Sequence, residues 1–167
     1  MLIYLDANLA QYYADYQDFI LGDSAAPPIN EPLLMGEGWH VAAPKHLMQE
    51  LLYKPTPEQR QIYSFLLQAW QEAGQQEANE VSEEKITTIE RSLYPLEVKV
   101  KDRRHLAEAI ALEAVWFLTN DKGLINHTRP KGNKKVVCKV QNVYVARPSE
   151  CIPEISRGLF LRTDQSD

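Results

Sequence analysis

The chain has no apolar stretch long enough to span a membrane, so a transmembrane helix is excluded. It does not open like a secretory signal either. Asp6 and Asn8 interrupt the first apolar run at once, and no basic region precedes it. Both absences lead to the expectation of a cytoplasmic protein that does not engage membranes. Cysteine is scarce: Cys138 and Cys151 do not form a metal-ligand spacing and read as reduced thiols rather than a disulfide pair. Internal repeats, low-complexity segments and linker-like shifts in composition are all missing. The 167 residues therefore read as one domain, with 44% hydrophobic residues for an ordinary core.

One further absence is local. Between Lys122 and Ser149 there is no Asp or Glu, while Lys122, Arg129, Lys131, Lys134, Lys135, Lys139 and Arg147 all carry positive charge. Seven of the 18 basic residues fall in that segment. The other 11 face 23 acidic residues, a balance of -12 in a chain whose net charge is -5. The net charge argues against tight non-specific nucleic-acid binding. A basic segment joined to an acidic body argues for a local site for phosphates.

What is present begins with Leu2-Ile-Tyr-Leu-Asp6, a short apolar run that ends in an aspartate. The pattern returns at Val115-Trp-Phe-Leu118, followed by Thr119-Asn120-Asp121. Continuous apolar runs read as buried parallel strands, and ligands of open α/β sheets gather where such strands end. Helical spacing is expected from Asn8 to about Ile20. A helix carrying Leu47, Met48, Leu51 and Leu52 is expected after Pro44, which suits its first turn. Thr56-Pro-Glu-Gln59 and Ser82-Glu-Glu-Lys85 are helix starts, and Asp102 opens a helix running to Ala114. Val136–Val140 and Val143–Val145 are two more strands. Helices interleaved with short apolar strands predict an α/β fold, a three-layer α/β/α arrangement around a mostly parallel sheet. The breaker-rich stretch from about 18 to 38 is a long loop insertion, and the chain after about 148 is a C-terminal extension.

Asp6 and Asp121 thus lie at strand ends. A helix antiparallel to its strand starts beside the strands' carboxyl ends, which brings Asp102 to the same edge. Glu50 adds a fourth acid from the helix after Pro44. Each has an ordinary reading: Asp6 as an Asx-turn or cap, Asp102 as a helix cap, Glu50 as a solvated helix residue, and the basic segment as a solvated hairpin surface. Their conjunction is what suggests a cluster. Crowded carboxylates repel, and an all-oxygen set suits Mg2+ or Mn2+ rather than zinc. His105, one turn after Asp102, has two readings: it faces the pocket and contacts a phosphate, or, the preferred one, it is a surface or cap-contacting residue. His46, one turn before Glu50, reads as a local contact of that acid.

Read together, the segments resemble the PIN-domain family, the metal-dependent ribonucleases that include the VapC-type toxins. Leu5-Asp6-Ala-Asn8 resembles the opening strand of the family with its first acid and following Asn. Pro44 with Glu50-Leu51 resembles the second motif, and Asp102-Arg-Arg-His-Leu-Ala-Glu-Ala-Ile-Ala111 the third. Phe117-Leu-Thr119-Asn-Asp121 resembles the fourth, and Val143-Tyr-Val-Ala-Arg-Pro148 the last strand and its proline turn. The resemblance covers most of the chain. The longer 18–38 stretch and the extended tail depart from a compact VapC toxin, and Glu31 and Glu37 compete with Glu50 for the second motif.

The resemblance implies hydrolysis of RNA phosphodiesters with catalytic Asp6, Glu50, Asp102 and Asp121. Asp6, Asp102 and Asp121 would bind Mg2+ or Mn2+ directly, with Glu50 completing the cluster or orienting water. Asn8, Thr119 and Asn120 would hold the carboxylates or bound water by hydrogen bonds. From the charge pattern, Lys122, Arg129, Lys131, Lys134 and Lys135 are the candidate contacts to the RNA backbone. The expected partners are RNA, an antitoxin protein that would neutralise the acids if the chain is a toxin, and a second copy in a homodimer. The competing reading is a catalytically weak PIN-like module that binds RNA or protein. A haloacid-dehalogenase-like phosphatase with Asp6 as nucleophile is disfavoured, because that family has a second Asp where this chain has Asn8.

Overall fold

Leu2, Ile3, Tyr4 and Leu5 are all buried, and they form the interior strand β1 (Leu2–Leu5). Successive strand residues point to opposite faces, so burial of all four means that both faces of β1 are covered. In the computed structural model the described residues are 2–9, 40–42, 44–61, 63–64, 68, 81–147 and 150. The elements that follow β1 are β2 (His40–Val41), α1 (Lys45–Leu51), α2 (Glu83–Ser92), a 3-10 turn at Tyr94–Leu96 and α3 (Val100–Ala111). Then come β3 (Trp116–Leu118), α4 (Lys122–His127), β4 (Cys138–Val140) and β5 (Val143–Ala146).

The chain is an α/β fold around a five-stranded sheet in the order β2-β1-β3-β5-β4. β1 pairs in parallel with β2 and β3, and β3 in parallel with β5; β4 alone runs antiparallel. The antiparallel pair is a tight hairpin, with Gln141 in the left-handed region at its turn (φ 54°). After β1 the chain adds β2 on one side, and β3 lies on the other. The carboxyl ends of β1 and β3 therefore flank the topological switch point of the sheet, where open α/β sheets form their ligand crevice.

Several helix boundaries follow from local chemistry. Ser82 caps α2, its hydroxyl accepting from Lys85 N–H at 3.2 Å. Thr56 and Gln59 make a reciprocal capping box, with Thr56 N–H donating to Gln59 at 3.1 Å and Gln59 N–H to Thr56 Oγ1 at 3.2 Å. Pro44 occupies the cap position itself, extended at ψ 168°, one residue earlier than the first turn. α3 starts two residues before Asp102 and stops at Ala111, not Ala114; Glu113 (φ 59°) turns the chain back into β3. The strand expected from Val136 begins at Cys138. Of the helix expected from Asn8 to Ile20 only residues 8 and 9 are described, and they are helical together with Ala7. The 18–38 loop, Glu31, Glu37 and, apart from Glu150, the extension after 148 lie outside the described residues. Among the described residues no helix is long and apolar enough to cross a membrane.

Cross-strand aromatics lock the sheet. Phe117 stacks on Tyr4 with ring centroids 5.2 Å apart, and Trp116 stacks on Tyr144 at 4.8 Å. Phe117 is fully buried at the centre of the core cluster. Phe117→Ala is expected to destabilise the fold by about 3–5 kcal/mol, read from the urea midpoint; a loss under about 1 kcal/mol would mean that this ring does not organise the core.

Candidate metal centre at the carboxyl edge of the sheet

Register brings the first two site residues together. Leu5 and Leu118 are partners in the β1–β3 ladder, so the residues that follow them leave the sheet side by side. Asp6 N–H donates to Leu118 O at 2.9 Å, and Thr119 N–H to Ala146 O at 3.0 Å. Asp6 is only 5% exposed, and its carboxylate is held from two directions. Thr119 Oγ1 donates to Oδ2 at 2.7 Å, and Ala7 N–H donates to Oδ1 at 2.8 Å. Thr119 Oγ1 in turn accepts Asp121 N–H at 3.0 Å. One buried hydroxyl therefore ties Asp6 to the backbone of Asp121.

Asp121 caps α4, its Oδ1 accepting Leu124 N–H at 3.0 Å. Gly123 lies close by, and a Cβ there would approach that same oxygen to 3.2 Å. Asp102 sits in the first turn of α3 and is half-buried. Asp102 feels the other two aspartates. Burial raises Asp102 above its ordinary carboxyl value, and the charges of Asp6 and Asp121 raise it further, against the pull of Lys99 and His105. Burial likewise raises Asp6, offset by Thr119, His105 and Ala7 N–H, with Glu50 adding repulsion.

Glu50, near the end of α1, joins the group but is already spoken for. Lys101 Nζ lies 2.6 Å from its Oε1, and His105 Nε2 bonds its Oε2. Burial pushes Glu50 up, yet Lys101 and His105 together outweigh it and hold the carboxyl below its usual range. A cavity of about 450 Å³ opens here, lined by Gln49, Glu50, Tyr53 and Lys101. Among the described residues, no three His, Cys, Asp or Glu side chains stand close enough to grip one ion as arranged. The acids gather within electrostatic reach of each other, and their donor set is all oxygen, the chemistry of a hard cation.

The other candidates divide. Asn8 and Asn120 are exposed. Lys122, Lys131 and Lys135 are exposed as well, whereas Lys134 turns its Nζ onto Asn126 O at 2.9 Å, at the end of α4. Arg129 is a correction. Its side chain is fully buried, forked onto both oxygens of Glu150 at 2.7 Å and onto Lys134 O at 2.7 Å. It staples the basic segment to Glu150 and is not free for a phosphate, because charge in a sequence does not reveal burial. The preferred surface reading of His105 is also corrected: it is buried and faces the acids, as the alternative reading had it. The His46 ring pairs with another acid than Glu50: its Nε2 lies 3.1 Å from Glu83 of α2.

Two residues escaped the sequence reading, Tyr4 and Glu108. Glu108 is 2% exposed on α3, and its Oε1 accepts the Tyr4 hydroxyl at 2.7 Å. The available signal was its setting, a lone acid inside Leu106-Ala-Glu-Ala-Ile-Ala111.

The raised acids have a consequence for stability. A carboxyl whose pKa is higher in the fold binds its proton more tightly there. Asp102 therefore favours folding below its ordinary value of 3.8, and that contribution is lost as pH rises through the raised value. In metal-free protein, Asp102→Asn should raise Tm at pH 7 by a few degrees and leave it unchanged near pH 3; equal effects at both pH values would remove the repulsion from the account. A scan against protein-family models gives no match for the chain, and searches of curated proteins and of solved structures give none either.

Proposed function

We propose that the protein is a divalent-metal-dependent ribonuclease with a three-layer, PIN-like α/β/α fold. The observation that carries this reading is the convergence of Asp6, Asp102 and Asp121 at the switch point of the sheet, where the charges of Asp6 and Asp121 are close enough to raise the proton affinity of Asp102. Full burial of both faces of β1 supports the layered arrangement. Asp6, Asp102 and Asp121 would hold Mg2+ or Mn2+, which when bound lowers the pKa of water and neutralises charge on a phosphate. Hydrolysis adds water across a P–O bond, leaving a phosphate on one RNA fragment and a hydroxyl on the other.

The chain's own groups have distinct parts in this chemistry. Thr119 and Ala7 N–H fix Asp6 while leaving it further lone pairs. Leu124 N–H fixes Asp121. Glu50, kept ionised by Lys101 and His105, can accept a hydrogen bond from the attacking water and orient it. Exposed Lys122, Lys131 and Lys135 supply contacts to the RNA backbone, with Arg129 left out. If the protein acts as a toxin, its antitoxin would bring a basic side chain to the acids.

One observation favours the second reading, a catalytically weak RNA- or protein-binding module. Lys101 and His105 already give Glu50 its counter-charge from within the chain. The two readings separate in one assay of single-stranded RNA with millimolar Mn2+ or Mg2+. The ribonuclease reading expects cleavage that a chelator abolishes. It also expects Asp6→Asn and Asp121→Asn to lose more than about 100-fold, beyond the 10–100-fold typical of groups that only support metal ligands. Cleavage retained in both variants would overturn it, and RNA binding without cleavage would favour the module.

A further inference from the structure

Glu108 sits in the core, and among the described residues no Lys or Arg pairs with it. A buried carboxylate is costly unless its oxygens are satisfied, and both of them are. Oε2 accepts His46 N–H at 2.9 Å, in the first turn of α1, where helical N–H groups lack partners of their own. Oε1 accepts the hydroxyl of Tyr4, the residue two places before Asp6. The same hydroxyl lies 2.7 Å from Nδ1 of His105, and Nε2 of that ring bonds Glu50. The result is a continuous chain from the core to the candidate site: Glu108, Tyr4, His105, Glu50.

The direction of each bond follows from what the groups can do. The tyrosine hydroxyl has one proton, and it is directed at Glu108. Nδ1 of His105 must then be the donor to Tyr4 Oη. The carboxylate of Glu50 can only accept, so Nε2 is a donor too. The ring is thus fixed at both nitrogens, between one acid in the core and another at the cavity. Pinning α1 to α3 would need only the Glu108 bond to His46 N–H. The second arm, through Tyr4 and His105, ends on the carboxylate that lines the cavity beside Lys101.

We propose that Glu108 and Tyr4 are positioning residues for Glu50: Glu108 orients the Tyr4 hydroxyl, the hydroxyl orients His105, and His105 holds the Glu50 carboxylate toward the aspartates. Its consequence for RNA cleavage rests on the ribonuclease reading, but the positioning itself has a readout that does not.

Tyr4→Phe deletes one oxygen and keeps the ring stacked on Phe117. In nitrogen-15 NMR of the full chain, the His105 Nδ1 resonance should move in this variant, and so should the carbon-13 resonance of the Glu50 carboxyl. Glu108→Gln is the second variant. Its amide nitrogen must face either Tyr4 or His46 N–H, so it breaks or reverses the chain and should shift the same His105 signal. In the Mn2+-dependent cleavage assay, Tyr4→Phe should lower kcat by about 10–100-fold with KM within about two-fold. In a His105→Gln background it should have no further effect, because both act through one path. Unchanged His105 and Glu50 resonances in Tyr4→Phe would overturn the proposal, as would effects of Tyr4→Phe and His105→Gln that simply multiply. If the unsubstituted protein fails to cleave RNA, the ribonuclease reading falls. The NMR shifts still decide the positioning claim.

Discussion

Everything at the carboxyl edge depends on how a nearly buried aspartate is held. Asp6 leaves β1 beside Thr119 because Leu5 and Leu118 are in register, and a slip of one residue would move Asp6 out of step with Thr119. The Thr119 hydroxyl donates to Asp6 and accepts from the backbone of Asp121, so one buried group joins both strand ends. Without such donors the carboxylate would be a desolvated charge in the core, which proteins avoid by neutralising the group. The sheet thus supplies position, and the hydroxyl supplies the reason that a charge can stay there.

Around that point the electrostatics are deliberately unbalanced. Asp6 is raised by burial, and Asp102 by burial and by the charges of Asp6 and Asp121, whereas Glu50 is lowered by Lys101 and His105. The aspartate side carries excess negative charge that an external cation would relieve. The Glu50 side is balanced from within the chain. This division is what the proposed roles of the four acids require: three would receive a cation and one would be held to orient water. It also explains how α3 serves both sides, since Asp102, His105 and Glu108 follow at three-residue intervals along one helix.

Much of this was legible in the sequence, for identifiable reasons. β1 and β3 declare themselves as uninterrupted apolar runs, and the capping residues Ser82 and Thr56 mark their helices through local hydrogen bonds. Chain order was enough to bring Asp102 to the edge shared by Asp6 and Asp121, because an α3 antiparallel to its strand must begin there. The remainder depends on contacts between distant residues. Tyr4 meets His105 and Glu108 across more than 100 positions, and no local pattern encodes that. Arg129 looked like one more cation in a basic run until its guanidinium was found forked onto Glu150. His105 turned inward for the same reason: its partners come from β1 and α1, not from its own helix.

The proposed metal centre requires that Asp6, Asp102 and Asp121 share one divalent cation. A crystal soaked in manganese tests it most directly through the anomalous scattering of the metal. The account predicts a single peak at the carboxyl edge of β1 and β3, bonded to oxygens of all three aspartates. A fully soaked crystal with no peak there, or with manganese bound away from Asp6, would contradict it.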